Sequence, residues 1–174
     1  MNKIRYYGDF VIYPAIVLAL MIVDFERVAT HPLWWLTCAF FGFIVWTLAE
    51  YWIHRSLLHG PYWMGIHEYH HKHPKHLTIF PWYQLPGYFT AIGVAIWVSS
   101  GEDWIAVYAG FLVGWIAFFV QHHMMHHHPE WDMDFAMRHN AHHKMTTVNY
   151  GITTDLWDRV FGTYRETTDR KPKG

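Results

Sequence analysis

The chain has 174 residues, enough for one domain with short appendages. Thirteen Lys and Arg against fourteen Asp and Glu leave a formal net charge of −1, which excludes a basic nucleic-acid binder and an acidic disordered tail. Charged residues make up 16 % of the chain, where a soluble domain carries about 25 %. Hydrophobic residues reach 52 % and aromatics 20 %, more than a soluble core of this size absorbs. The mean hydropathy is only −0.01 because 16 His offset the apolar residues. A single cysteine, Cys38, rules out an internal disulfide and any CxxC zinc site. The composition predicts an all-α integral membrane protein with a surplus of histidine.

Four uncharged stretches predict membrane spans at 10–25, 33–53, 86–100 and 104–121. The second and fourth have full spanning length, the first is short, and Pro81 and Pro86 interrupt the third. Helices buried in a soluble bundle are the alternative, and the length and absence of charge argue against it. Asp9 precedes the first apolar run and no small-residue cleavage pattern follows it, so the run reads as a retained anchor. Gly110 and Gly114 form a G-x-x-x-G in the fourth span, compatible with close helix packing. One membrane-embedded domain over 1–174 is expected.

Charge placement supports a topology with both termini cytosolic. Loops at Asp24–His31 and Gly101–Asp103 then lie outside, with Arg27 their one basic residue beside Asp24, Glu26, Glu102 and Asp103. The other twelve Lys and Arg fall inside, the positive-inside pattern. All the histidines except His31 fall on that side too. His31 itself reads as an ordinary satisfied polar residue.

The inside histidines lie in two segments, 54–80 and 122–165, and form four groups. His54 and His59 stand in EYWIHRSLLHG; His67, His70 and His71 in HEYHHKHP; five more run from His122 to His128; His139, His142 and His143 stand in HNAHHK. Each H-x-x-H-H triplet places its members at i, i+3 and i+4, on one helix face. His122 and His126 are an i, i+4 pair, as are His123 and His127. His54 and His59 are five apart, about 140° around an α-helix. Either the helix unwinds there or the two serve different ions. One pair, one triplet, one pair and one triplet exceed the four ligands of a structural zinc and suit two ions of higher coordination. Imidazole suits iron, zinc, copper and nickel. Carboxylate-bridged di-iron bundles use two Glu-x-x-His motifs, whereas a single one, Glu68 with His71, occurs here, inside a histidine triplet. A loose metal-storage tract would explain the run at 122–128 alone, but not four spaced groups on one membrane face.

These motifs resemble the histidine boxes of the fatty acid hydroxylase/sterol desaturase superfamily of membrane di-iron oxygenases. EYWIHRSLLH is similar to the first box, HEYHHKHP to the second, HHMMHH to the third and HNAHHK to the fourth, and NYGITTDLWDRVFGTYRE is similar to the closing segment. The resemblance covers about 48–165. It implies four transmembrane helices under a cytosolic helical cap, in a bacterial inner membrane or the endoplasmic reticulum. It also implies two Fe ions, for which Zn can substitute in a preparation, with O2 as co-substrate. The substrate class it implies is a fatty acyl, sphingolipid or sterol lipid, hydroxylated at a C–H bond. No cytochrome b5-like segment falls within the sequence, so electrons are expected from an external donor: cytochrome b5, a ferredoxin or a reductase.

By position, the implied metal ligands are His54, His59, His67, His70, His71, His122, His126, His139, His142 and His143. His123, His127 and His73 are alternates, the His122/His126 register being preferred because Met124 and Met125 then take the apolar positions between ligands. The compact spacing of His59 and His67 is closer to carotenoid ring hydroxylases than to fatty acid 2-hydroxylases, and lipid desaturation uses the same metal site. Metal-bound histidines need hydrogen-bond acceptors behind them. Glu50, Glu68, Asp155 and Asp158 are candidates, each equally readable as a helix cap or a surface charge, which is the more ordinary reading of Asp155; Asn149, near the last box, is a further candidate to hold a metal-bound water. Trp52, Tyr62, Trp63, Trp82 and Tyr83 read as interfacial aromatics, and Arg55 as a headgroup contact. A metal transporter would carry ionisable residues at the middle of its spans, whereas the uncharged cores at 10–23, 33–49, 86–100 and 104–120 hold only scattered Thr, Ser, Cys38 and Tyr. A non-catalytic metal-binding membrane protein is the remaining rival.

Overall fold

A computed structural model describes residues 3–60, 64–77, 85–131 and 133–167. Tyr62, Trp63, Pro81, Trp82 and Tyr83 lie outside the described residues. The described chain is all-helical. Its elements are α1 (Lys3–Val23), α2 (Phe25–Thr30), α3 (Pro32–Trp52), a π-helical turn (Ile53–Leu58), α4 (Met64–Lys72), α5 (Leu85–Ser100), a 3₁₀ turn (Gly101–Asp103), α6 (Trp104–His127), α7 (Met133–Lys144) and α8 (Leu156–Val160).

Among the described residues, three stretches are long and apolar enough to cross a membrane: Tyr6–Val23, Pro32–Leu58 and Tyr88–His127. The third is two helices. Gly101 adopts φ 57°, a conformation open to glycine, and the chain reverses there. The Tyr108 hydroxyl then donates to the Phe89 carbonyl at 3.2 Å, and the Phe89 ring packs 5.2 Å from Trp115. A straight helix would hold those rings far apart at 1.5 Å of rise per residue. Pro32 opens α3, where its missing N–H and fixed φ cost nothing. α6 runs further than the expected span at 104–121, and the π-helical turn continues α3 past the expected end at 53 to Leu58.

The chain divides into two compact units, Met1–Trp46 with Leu77–Ala117, and Thr47–His76 with Phe118–Gly174. In the first, glycines let helices meet at backbone distance. A Cβ on Gly110 would stand 1.7 Å from the Ala39 carbonyl, and one on Gly42 1.9 Å from that of Val107. Gly114 faces the Trp46 side chain, so the G-x-x-x-G is used for packing. Edge-to-face pairs of Trp46 with Phe111 and Trp115, centroids 5.2 and 5.3 Å apart, fill the space beside it. The outer surface is apolar: Ile22 is 74 %, Leu33 80 % and Val98 75 % exposed. Side chains that apolar and that bare belong against hydrocarbon. Asp24 accepts from the Trp35 indole at 2.9 Å, Asp103 from Trp34 at 3.1 Å, and Arg27 pairs with Glu102 and Asp103 at 3.4 Å. Those bonds tie the start of α3 to the α5–α6 turn. His31 caps α2 through its backbone N–H on the Arg27 carbonyl.

In the second unit, Met125, Ala136 and Ile152 form a buried cluster covered by Phe118 and Phe135. Asp158, 1 % exposed, organises the loop beside it. Its carboxylate accepts from the Tyr150 and Gly151 amides at 2.8 and 2.7 Å and from the Thr163 hydroxyl at 2.7 Å.

Replacing Gly110 by Val is expected to lower stability by about 3 kcal/mol, because the added atoms collide with backbone that has no room to move. Gly65→Ala, where an added Cβ meets nothing within 4 Å, is the control and leaves the unfolding midpoint in detergent unchanged.

Candidate metal centre

The π-helical turn brings His54 and His59 to one face. The His59 amide bonds the His54 carbonyl at 3.3 Å, an i→i+5 link. The wider turn removes the angular mismatch that an α-helix would impose on a spacing of five. Of the two readings left open by the sequence, the unwound helix is the one observed.

Ten imidazoles gather in two groups within the second unit. One holds His54, His59, His67, His71 and His142; the other holds His70, His122, His126, His139 and His143. Candidate ligand atoms within each group all lie within 4.8 Å of one another. Each H-x-x-H-H triplet is divided. His67 and His71 face the first group while His70, between them, faces the second. On α7 the assignment is reversed: His139 and His143 face the second group and His142 the first. Both groups thus receive two pairs and one single imidazole, from elements far apart in sequence.

The His67 Nε2 lies 3.0 Å from the Nε2 atoms of His54, His59 and His71, and His59 Nε2 is 3.0 Å from that of His142. In the second group His70 Nε2 is 3.0 Å from His122 and 3.2 Å from His126. His122 and His126 are 3.1 Å apart, His126 and His139 2.9 Å, and His139 and His143 3.0 Å. These are not a hydrogen-bond network. The Nδ1 of His54 donates to the Tyr150 carbonyl at 2.5 Å and that of His142 to the Val148 carbonyl at 2.8 Å. A neutral ring that donates from Nδ1 has a bare Nε2 lone pair. One ring nitrogen such as His67 Nε2 donates at most one proton, yet it has three nitrogen neighbours. Lone pairs converging at this distance repel unless a cation lies among them. Two nitrogens at right angles, each about 2.1 Å from an ion, lie about 3.0 Å apart, whereas tetrahedral donors lie about 3.4 Å apart. The donor set fits an ion of five or six coordination and not tetrahedral zinc.

Burial keeps the rings neutral. Desolvation, followed by the neighbouring imidazoles, pushes His59 and His143 down to about 4 and His70 and His142 to about 2. His67 and His139 shift further in the same direction for the same reasons. Neutral imidazole is the form that binds metal.

The acceptors behind His54 and His142 are backbone carbonyls, where the sequence suggested side chains, and the Nδ1 atoms of His70, His71, His139 and His143 are buried without a hydrogen-bond partner among the described residues. Tyr150 and Val148 flank Asn149, whose φ of 53° is the one positive value at a non-glycine among the described residues. Asn149 accepts from the Arg165 amide at 2.8 Å and donates to the Arg165 carbonyl at 3.1 Å, so it fixes the turn that aims those carbonyls. Glu50, 3 % exposed, accepts from the Ile152 and Thr153 amides at 2.6 and 3.0 Å and from the Thr153 hydroxyl. Glu50, Asn149 and Asp158 therefore shape the loop that orients the first group. An Asn before Tyr-Gly was the available sequence signal, since Asn tolerates that backbone conformation.

The other candidates lie elsewhere. His123 and His127 stack on each other, and His73 stacks on Tyr69 with its Nδ1 3.1 Å from the Tyr69 carbonyl. Glu68 is exposed and pairs with Lys72 at 2.6 Å. Asp155 precedes α8 and pairs with Arg138 at 2.5 Å and Arg159 at 2.9 Å. Arg55 donates to the Tyr51 hydroxyl at 2.7 Å and lies within 6 Å of the Trp52 and Tyr150 rings.

Two outcomes are expected. The division of the triplets requires His70→Ala to empty the second group while sparing the first, and His71→Ala the reverse. Metal content per chain then falls by half in each variant, and the double variant loses both ions. In the metal-free protein, stability falls as pH drops from 6.5 toward about 4, because the unfolded chain takes up protons that folded His59 and His143 refuse. Denaturation midpoints across that range, measured on chelator-stripped protein, check the sign.

The profile of the fatty acid hydroxylase family matches residues 39–163. A dihydroceramide fatty acyl 2-hydroxylase of Arabidopsis thaliana is 30 % identical over 87 % of this chain and 70 % of its own length. The ceramide very long chain fatty acid hydroxylase of Saccharomyces cerevisiae is 30 % identical over 71 % of this chain, and the Delta(7)-sterol 5(6)-desaturase of Leptosphaeria maculans 33 % identical over 73 %. This chain spans only 36 % and 37 % of those two longer proteins. The solved structure of full-length scs7p, with only its hydroxylase domain visible, is similar in fold at a TM-score of 0.75 and 24 % identity, over 92 % of this chain and 66 % of that one. The family match brackets all ten gathered histidines, and the chain belongs to the fatty acid hydroxylase family.

Proposed function

We propose that the chain is a four-span membrane di-iron oxygenase that hydroxylates a C–H bond of a fatty acyl, sphingolipid or sterol lipid, with its termini and metal centre on the cytosolic side. The observation that carries this reading is the pair of five-imidazole groups with right-angle spacing between donors. Five nitrogens around a six-coordinate ion leave one position for an outside ligand, which a closed structural site lacks. Imidazole is a ligand that iron accepts, and iron held there supplies the activation of dioxygen with electrons from an external donor.

The chain's own residues hold and orient. The π-helical turn and the carbonyls of Tyr150 and Val148 fix ring tautomers in the first group. Low proton affinity keeps His59, His70, His142 and His143 ready to bind metal at neutral pH. His54 and His122 occupy the C-terminal parts of two apolar stretches of spanning length, which supports a centre near the bilayer boundary, where a lipid presents its chain. The folding back of the third stretch at Gly101 supports four spans, with the Arg27–Asp103 end outside and the basic residues inside. The similarity to sterol desaturases supports desaturation as a second reading on the same centre.

Lipid mass spectrometry of cells expressing the protein, beside a His139→Ala/His142→Ala variant, tests the reaction. Hydroxylation yields a lipid with one added oxygen that is absent from the variant. A product lacking two hydrogens favours desaturation, and identical lipids in both cultures refute either oxygenase reading.

A further inference from the structure

The run from His122 to His128 gives the second group only His122 and His126. His123 and His127 form another i, i+4 pair on the next face of the same turns of α6. Their rings stack with centroids 4.5 Å apart and planes inclined by 22°. Both are partly exposed. Exposed His128 lies beside them, its ring 6.3 Å from His123 and its Nδ1 3.4 Å from the Glu130 carboxylate.

The geometry points to a third metal site, formed by His123 and His127 with His128 and Glu130 at its rim, that captures a divalent transition-metal ion and passes it to the second imidazole group. The proposal rests on reading the ten gathered histidines as a dinuclear centre. Neighbouring imidazoles one turn apart chelate a divalent ion once their rings turn a nitrogen edge toward a common point. The Glu130 carboxylate draws cations to this face. His123 precedes no break in the helix, so the capturing and receiving pairs are set about 100° apart around one axis. Transfer breaks a metal bond to His123 or His127 as one forms to His122 or His126. No electron moves, and neutral imidazole leaves as neutral imidazole arrives, so no proton is needed.

The test uses the full chain in detergent, stripped with chelator and titrated with Co2+ alone. The wild-type chain is expected to bind two tight equivalents and a third, weaker one. His123→Ala/His127→Ala keeps the two tight equivalents, which shows that it is folded, and loses the third. In stopped flow, that variant fills its tight sites about tenfold more slowly, since the locally held ion is gone. A wild-type chain without a third equivalent, or a variant that loads at the wild-type rate, overturns the proposal while leaving the dinuclear centre intact. Fewer than two tight equivalents in the wild-type chain overturns the dinuclear reading, and this proposal with it.

Discussion

Two groups of five imidazoles, with neighbouring nitrogens held about 3 Å apart, are the constraint on which the second unit depends. Bringing them together is unfavourable in every respect except one. The rings are desolvated, and protonating any of them places a charge beside others already crowded. The arrangement is sensible only if cations occupy it, so metal binding and the folding of this unit are one free-energy problem. The loop at 148–163 follows from the same demand. Glu50 and Asp158 hold it by its amides, and it spends two carbonyls on orienting rings.

In the first unit the constraint is close approach. Gly42 and Gly110 bring α3 and α6 to backbone contact, while large apolar side chains point outward. That is the inverse of a soluble core, and it suits a surrounding solvent with no hydrogen-bonding capacity. α6 also carries His122 and His126, and the π-helical turn that follows α3 carries His54.

Much of this was legible in the sequence. The absence of charge marked α3 and α6, and the spacing of the triplets marked helical faces on α4 and α7. The ten histidines singled out by position are those that the structure gathers, including His122 and His126 over their neighbours. Met125 between those two is buried against Ala136 and Ile152, the packing that the choice of register assumed. Other features left no readable trace. An i, i+3, i+4 triplet specifies one face, yet that face is broad enough to serve two centres, and nothing in the spacing says which member turns away. The π-helical turn depends on tertiary demand at His59, because the local residues alone favour an ordinary helix. Backbone acceptors such as the Val148 carbonyl belong to every residue alike, so side-chain identity pointed instead to Glu50, Asn149 and Asp158.

The exchange of single histidines between α4 and α7 has a mechanical consequence. Each group draws histidines from both helices, so a single ion in either one would join α4 to α7. An ion held by either group alone would therefore keep the helix pair in register.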